Sequence, residues 1–218
     1  MPLRHAWLCP IVLVISLAVT PVAGAATPEQ VRNFFRAVQL DDARTVKAML
    51  GSQVDPNEAN PVGGEPALVL AVREGAMDVF QAVLAHPGTK VDAPAMNGNT
   101  ALMMAAFKGN RPAAEALIAK GAAVNRPGWT PLHYAAASGD EGIAALLLAR
   151  GAKVDAVSPR ASGSYTPLMM AAREGKEDMA VYLRKQGANP TLKNGEGLTA
   201  AQIAERADHK SLAKALAP

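Results

Sequence analysis

Catalysis and metal binding both need particular side chains brought within bonding distance, and this 218-residue sequence holds few that its spacing would bring together. The four histidines are His5, His86, His133 and His209. None pairs with another at i, i+3 or i, i+4, so the face-sharing His pairs of zinc sites are missing. Cys9 is the single cysteine, and no G-x-S-x-G elbow presents a nucleophilic serine. Gly195-Glu196-Gly197 is a fragment of a phosphate-cradling loop, but a lone G-x-G lacks the rest of that motif. It falls where a turn is due, and turn geometry accounts for its glycines. The nine methionines include two pairs, Met103-Met104 and Met169-Met170. Thioethers are soft ligands suited to Cu(I), so metal handling is a second functional class. The competing reading is packing, because a flexible Met fills core gaps. Glu74 and Glu174 each follow an arginine, Arg73 and Arg173. That is the arrangement of solvated ion pairs, not of an acid–base dyad in a cleft. The chemistry therefore points to binding, with no enzyme activity and no cofactor implied.

The elements that must position these residues are repeated. Thr100-Ala101-Leu102-Met103-Met104-Ala105-Ala106 returns as Thr130-Pro131-Leu132-His133-Tyr134-Ala135-Ala136 and as Thr166-Pro167-Leu168-Met169-Met170-Ala171-Ala172. An earlier copy reads Pro66-Ala67-Leu68-Val69-Leu70-Ala71, a worn one Thr199-Ala200-Ala201-Gln202-Ile203-Ala204, and a divergent one lies at Phe34 to Ala37. The leucine position falls at 34, 68, 102, 132, 168 and 201, at intervals of 34, 34, 30, 36 and 33 residues. In each copy the Thr is a helix N-cap and the Pro presets the first turn. The Leu and Ala residues point inward. Gly75, Gly109, Gly139 and Gly175 close the first helix. A second apolar helix follows over 77–84, 112–119, 141–149 and 177–184, closed by Gly121, Gly151 and Gly187. Val124-Asn125 and Val154-Asp155 open the linking hairpin. Helices this short are unstable alone, so neighbours must bury their faces.

A period near 33 with T-P-L-H-x-A is the mark of ankyrin repeats, and residues 28–218 resemble that family. Thr130 to Ala135 match the motif at every specified position. The resemblance implies an all-α repeat solenoid of helix-turn-helix units with β-hairpin loops, about six repeats including capping repeats. Pro28 to Leu50 is expected to be the N-terminal cap, kept wet by Arg32, Arg36, Arg44 and Lys47. Lys210 to Leu216 is expected to close the other end. Three departures stand out. The turn Asn125 to Trp129 is three residues short, and the tip Ala156 to Ser164 is three residues long. The junction Asp55 to Glu65, with Pro56, Pro61, Gly63 and Gly64, is expected to be irregular. His133 is also the only histidine at its position in the motif; Val69, Met103, Met169 and Gln202 replace it elsewhere. The family's histidine bonds the neighbouring hairpin backbone, so fewer hydrogen bonds between repeats are expected here.

The composition fits thin helical layers: half the residues are hydrophobic but only 4% aromatic. Net charge is +3 and the sequence pI about 9.1. No block of five or six Lys/Arg occurs, which argues against a nucleic-acid footprint. The N-terminus reads as a signal peptide over 1–25: Arg4 and His5, an apolar run from Trp7 to Val19, then Ala23-Gly24-Ala25, with cleavage expected before Ala26. The rival is an uncleaved membrane anchor, because Leu8 to Ala26 is uncharged and close to a spanning length. Pro10, Pro21 and the small residues favour cleavage. The repeat domain, 26–218, is then exported, with no cysteine. Periplasmic residence is expected, with secretion or outward-facing anchorage as alternatives.

The resemblance implies two variable zones for binding, the hairpin tips and the two positions after Ala-Ala of the first helix. The residue before the Thr is Asn99, Trp129, Tyr165 and Leu198 in successive copies. After the Ala-Ala, or its Ala-Val equivalent, come Arg73 and Glu74, Phe107 and Lys108, Ala137 and Ser138, Arg173 and Glu174. Trp129, Tyr165 and Phe107 are therefore expected on one concave surface, flanked by the charges. Trp, Tyr and Arg are the residues that most often anchor interfaces. A monomer that binds a protein partner there is expected, in the periplasm or, as a secreted effector, on host proteins; the partner could be inhibited, stabilised or protected.

Overall fold

A computed structural model describes residues 26–217. The expected signal segment, 1–25, and its cleavage site lie outside them except for Ala26. Among the described residues twelve α-helices follow one another in six antiparallel pairs. They are α1 (Pro28–Gln39) with α2 (Ala43–Met49), α3 (Ala67–Glu74) with α4 (Met77–Ala85), and α5 (Ala101–Phe107) with α6 (Arg111–Ala119). Then come α7 (Pro131–Ser138) with α8 (Glu141–Ala149), α9 (Pro167–Arg173) with α10 (Glu177–Lys185), and α11 (Ala200–Arg206) with α12 (Lys210–Leu216). First helices pack on first helices in unbroken order from α1 to α11, and α6, α8, α10 and α12 form the layer behind. The chain is an all-helical repeat solenoid.

The local rules operate as the residues dictate. Thr100, Thr166 and Thr199 cap their helices by accepting from the backbone N–H of Met103, Met169 and Gln202 at 3.4, 3.3 and 3.4 Å. The second helices use Asp42, Asn110 and Asp140 in the same way. Gly75 and Gly139 end α3 and α7 in the left-handed conformation, at φ 75° and 85°, where a Cβ would be strained. Leu102, Leu132 and Leu168 are fully buried, as are the Ala pairs that follow them, Ala105-Ala106, Ala135-Ala136 and Ala171-Ala172. The small alanines let adjacent first helices approach, and the leucines fill the space between.

The loops depart from expectation. No strand forms among the described residues; only isolated bridges join Leu50 to Val54 and Ala59 to Pro66. Successive tips are joined mostly by side chains, with single backbone bonds from Met96 N to Gly64 O at 3.2 Å and from Gly195 N to Gly163 O at 2.8 Å. The Asn57 amide donates to Gly88 O at 2.9 Å and accepts from Lys90 N at 2.7 Å. Asp92 accepts from Ala123 N at 3.1 Å. Asn125 donates to Gly151 O at 2.7 Å and accepts from Lys153 N at 2.9 Å. Asp155 accepts from Asn189 N at 3.1 Å. One Asx residue per junction thus bonds the next repeat, which offsets the hydrogen bonds expected to be lost with the motif histidines. The junction 55–65 forms no helix or strand and is held by local bonds: Asn60 exchanges backbone bonds with Glu65 and Gly64, and Glu65 pairs with Arg73 at 2.6 Å.

His133 makes both of the bonds open to its position. Its Nδ1 accepts from Thr130 N–H at 3.2 Å, which leaves the proton on Nε2, and Nε2 donates to Tyr165 O in the next repeat at 3.0 Å. Met169 and Gln202 keep only the first bond, through Sδ at 3.4 Å and Oε1 at 2.9 Å. Complete burial pushes the His133 pKa down to about 4, because a charged ring would be desolvated, and the bond to Tyr165 O opposes this only in part.

Two outcomes follow for stability. Leu132→Ala should cost roughly 2–5 kcal/mol, as for a buried core leucine, read as a lowered urea midpoint. For His133 the unfolded chain, with a pKa near 6.5, binds the proton that the folded chain excludes. Its contribution is therefore complete above pH 6.5 and declines as pH falls towards 4, by roughly 3 kcal/mol in all. Urea titrations at pH 7 and 4.5 should show this loss, and His133→Gln should flatten it.

Candidate protein-binding surface

The short turn before α7 and the long tip before α9 flank one repeat, and the face between them carries a groove of about 380 Å³. Phe107 at the C-terminal end of α5, Trp129 before the α7 cap and Tyr134 within α7 form its aromatic walls. His133 and Ala137 also line it, and Met170 and Arg173 of α9, with Glu174 just after the helix, form the opposite side. Phe107 is 51% exposed, and Trp129 and Tyr134 are half-buried. The rings meet at steep angles. Tyr134 stands 87° to Phe107 and 65° to Trp129, with centroids 6.3 Å apart in both pairs. Trp129 stands 78° to the His133 ring at 5.2 Å. Edge-to-face pairs of this kind fix ring orientation.

The Tyr134 phenol, the Arg173 guanidinium and the Glu174 carboxylate around the groove are partnered within the chain. Tyr134 Oη donates to Asn99 Oδ1 at 2.5 Å. Burial pushes the Tyr134 phenol up, opposed by that bond and by the positive charge of Arg126. Arg173 pairs with Glu174 at 2.9 Å and lies 5.4 Å from the Tyr165 ring centroid. Among the described residues no cluster of His, Cys, Asp and Glu is arranged to hold a metal. Met103 and Met169 are 1% exposed, within the core.

Of the residues expected on this surface, Phe107, Trp129, Arg173 and Glu174 do converge. Asn99 contributes through Tyr134. Lys108 is exposed next to Phe107 but does not line the groove, and Arg73 and Glu74 lie in an earlier repeat, tied to Glu65 and to each other. Tyr165 is the correction. It occupies the same repeat position as Trp129 yet is only 8% exposed. The lengthened tip makes a 3-10 turn at Arg160–Ser162 and folds back on the ring. A Cβ at Gly163 would stand 2.5 Å from Tyr165 Cε2. Ser158 and Tyr165 exchange hydrogen bonds at 2.8 Å, which closes the tip. Tyr165 is a packing residue. Tyr134 and Met170 were missed, although both occupy the variable position of T-P-L-H-x-A, one residue beyond the motif histidine.

Tyr165→Ala should accordingly lower stability by about 3 kcal/mol or more, in the range for truncating a buried aromatic. Trp129→Ala should cost much less. Thermal unfolding of the two single variants separates them, and equal shifts would contradict the burial difference.

A model of three consecutive ankyrin repeats matches residues 34–127 and 68–158, and a model of the single ankyrin repeat matches residues 164–195. Ankyrin repeats generally mediate protein–protein interaction and are typically non-enzymatic. These matches span most of the sequence, in the phase set by the leucines and the six helix pairs, and the chain belongs to the ankyrin-repeat family.

Proposed function

We propose that this chain is a non-enzymatic binding module that receives a partner protein in the groove between α5, α7 and α9. The observation that carries this reading is the exposure of aromatic surface in one place. Phe107 leaves half its surface in water, and Trp129 and Tyr134 leave part of theirs. The repeat core needs none of these rings there: Asn99 and Leu198 fill the Trp129 position in other copies. Large aromatic side chains at the centre of a depression are the groups that most often dominate interface energetics. The adjacent polar groups already bond within the chain, so the groove is preformed and little ordering is required on binding.

The bound partner would meet this module outside the cytoplasm, in the periplasm of a cell of Gram-negative type. The support is the signal-like segment ending at Ala25 and the absence of cysteine from residue 26 onward in the sequence. No helix among the described residues is long and apolar enough to cross a membrane. Inhibition, stabilisation or protection of the partner are all compatible with such docking.

One experiment tests both parts. The protein isolated from a periplasmic fraction should begin at Ala26 by N-terminal sequencing and should retain a partner from the same extract. Phe107→Ala with Trp129→Ala should reduce retention at least tenfold, the effect of losing anchors worth ~2 kcal/mol or more, with the circular dichroism spectrum unchanged. Undiminished retention would remove the groove as the site. An intact Met1 on a membrane-bound form would replace export by anchorage.

A further inference from the structure

The walls of the groove also indicate what enters it. The geometry points to a basic side chain, lysine or arginine, projecting from the partner protein into the angle between Phe107, Trp129 and Tyr134, with Glu174 at the rim. This rests on the reading of the groove as the docking site and adds the chemistry of its occupant.

Three observations converge. First, the rings form walls and not a stack. Tyr134 meets its two neighbours at 87° and 65°, so an occupant lies against more than one ring. The faces of aromatic rings carry negative charge density, and a cation within about 6 Å of a face is attracted. Second, the Tyr134 hydroxyl gives its hydrogen to Asn99 Oδ1 at 2.5 Å. That moves electron density into the ring and keeps the phenol dipole fixed. Third, Glu174 is the one carboxylate that lines the groove, whereas of the nearby cations Arg126 is held by Gly98 O at 3.1 Å and Lys108 lies outside the lining. His133 in the lining is held neutral by burial, its pKa near 4. Arg173 is engaged by the Glu174 carboxylate and the Tyr165 ring. Glu174 has a second carboxylate oxygen and a 40% exposed side chain, so it accepts an incoming donor without releasing Arg173.

Arg173 over Tyr165 is the same contact made within the chain, at 5.4 Å. An aliphatic stem would lie along Ala137 and Met170 while its charged head reached Glu174, as long basic side chains do when their heads stay wet. An acidic side chain would meet the ring faces and Glu174 with the wrong sign. A purely aliphatic one would leave the carboxylate unused.

The sequence supplies its own reporter. Trp7 and Trp129 are the only tryptophans, so the full chain carrying Trp7→Phe emits from the groove alone. It is titrated with two hexapeptides, otherwise uncharged and capped at both ends, that differ only in a central lysine or norleucine, and separately with tetramethylammonium chloride. The lysine peptide should change Trp129 emission saturably and bind about fivefold more tightly than the norleucine peptide, equivalent to a cation–π contribution of about 1 kcal/mol. Glu174→Gln should weaken the lysine peptide several-fold and leave the norleucine peptide unaffected. Equal binding of the two peptides would overturn the cation and leave an apolar docking groove. Tetramethylammonium bound as tightly as the lysine peptide would assign the site to a free small cation, overturning the partner side chain. No response to any probe would also overturn the cation. In that case retention of the extract partner separates the two readings: lost in the Phe107 and Trp129 variant, it leaves the docking site standing; kept, it removes both.

Discussion

Eleven of the twelve helices are seven to nine residues long, too short to persist in water without neighbours. Each first helix is held by the burial of its Leu and Ala face against the first helices on either side. Leu102, Leu132 and Leu168 repeat one contact from layer to layer, and the alanines set the spacing. This dependence makes the array nearly one-dimensional: each inner repeat is stabilised mainly by its two neighbours, and each end repeat of the described residues by one. It also divides the residues sharply. Positions on the stacking face are committed to Leu, Ala or a residue of similar shape, whereas the tips and the ends of the first helices are free to vary.

The tips need a bond of their own, because their backbone groups cannot all be met by helices. The Asx residues Asn57, Asp92, Asn125 and Asp155 supply it, each reaching the next repeat across one junction. His133 adds a bond from within α7 to Tyr165 O. Met169 cannot reproduce that link, since a thioether has no donor, but its sulfur still accepts from the N-cap. The motif position therefore has two separable tasks. The local one tolerates His, Met or Gln, and the link across repeats requires a donor at the far end of the side chain.

The groove arises where the array is least regular. A shortened turn brings Trp129 close to α7, and a lengthened one folds Tyr165 inward beneath Arg173. The resulting depression is bounded by rings whose orientations are fixed by each other and by the Asn99 and His133 hydrogen bonds. The groove is here a by-product of unequal loop lengths between helices of nearly equal length. The stacking contacts beneath it are unchanged: Ala135, Ala136 and Leu168 remain fully buried.

The sequence by itself determined the repeat phase, the caps, the helix pairs and the core. Each of these follows from local chemistry recurring at a near-constant interval: Thr before a helix, Gly after it, Leu and Ala on one face. It also placed Phe107, Trp129, Arg173 and Glu174 at variable positions. The tertiary structure alone decided which variable residues share one surface. Trp129 and Tyr165 occupy equivalent positions but face different surroundings, because the course of each tip depends on its length and on what the neighbouring repeat offers. Tyr134 looked like part of a motif, yet its ring lines the groove because Asn99, thirty-five residues earlier, holds its hydroxyl. Such contacts join residues one repeat apart, and a repeat period fixes their spacing along the chain without fixing which way their side chains turn.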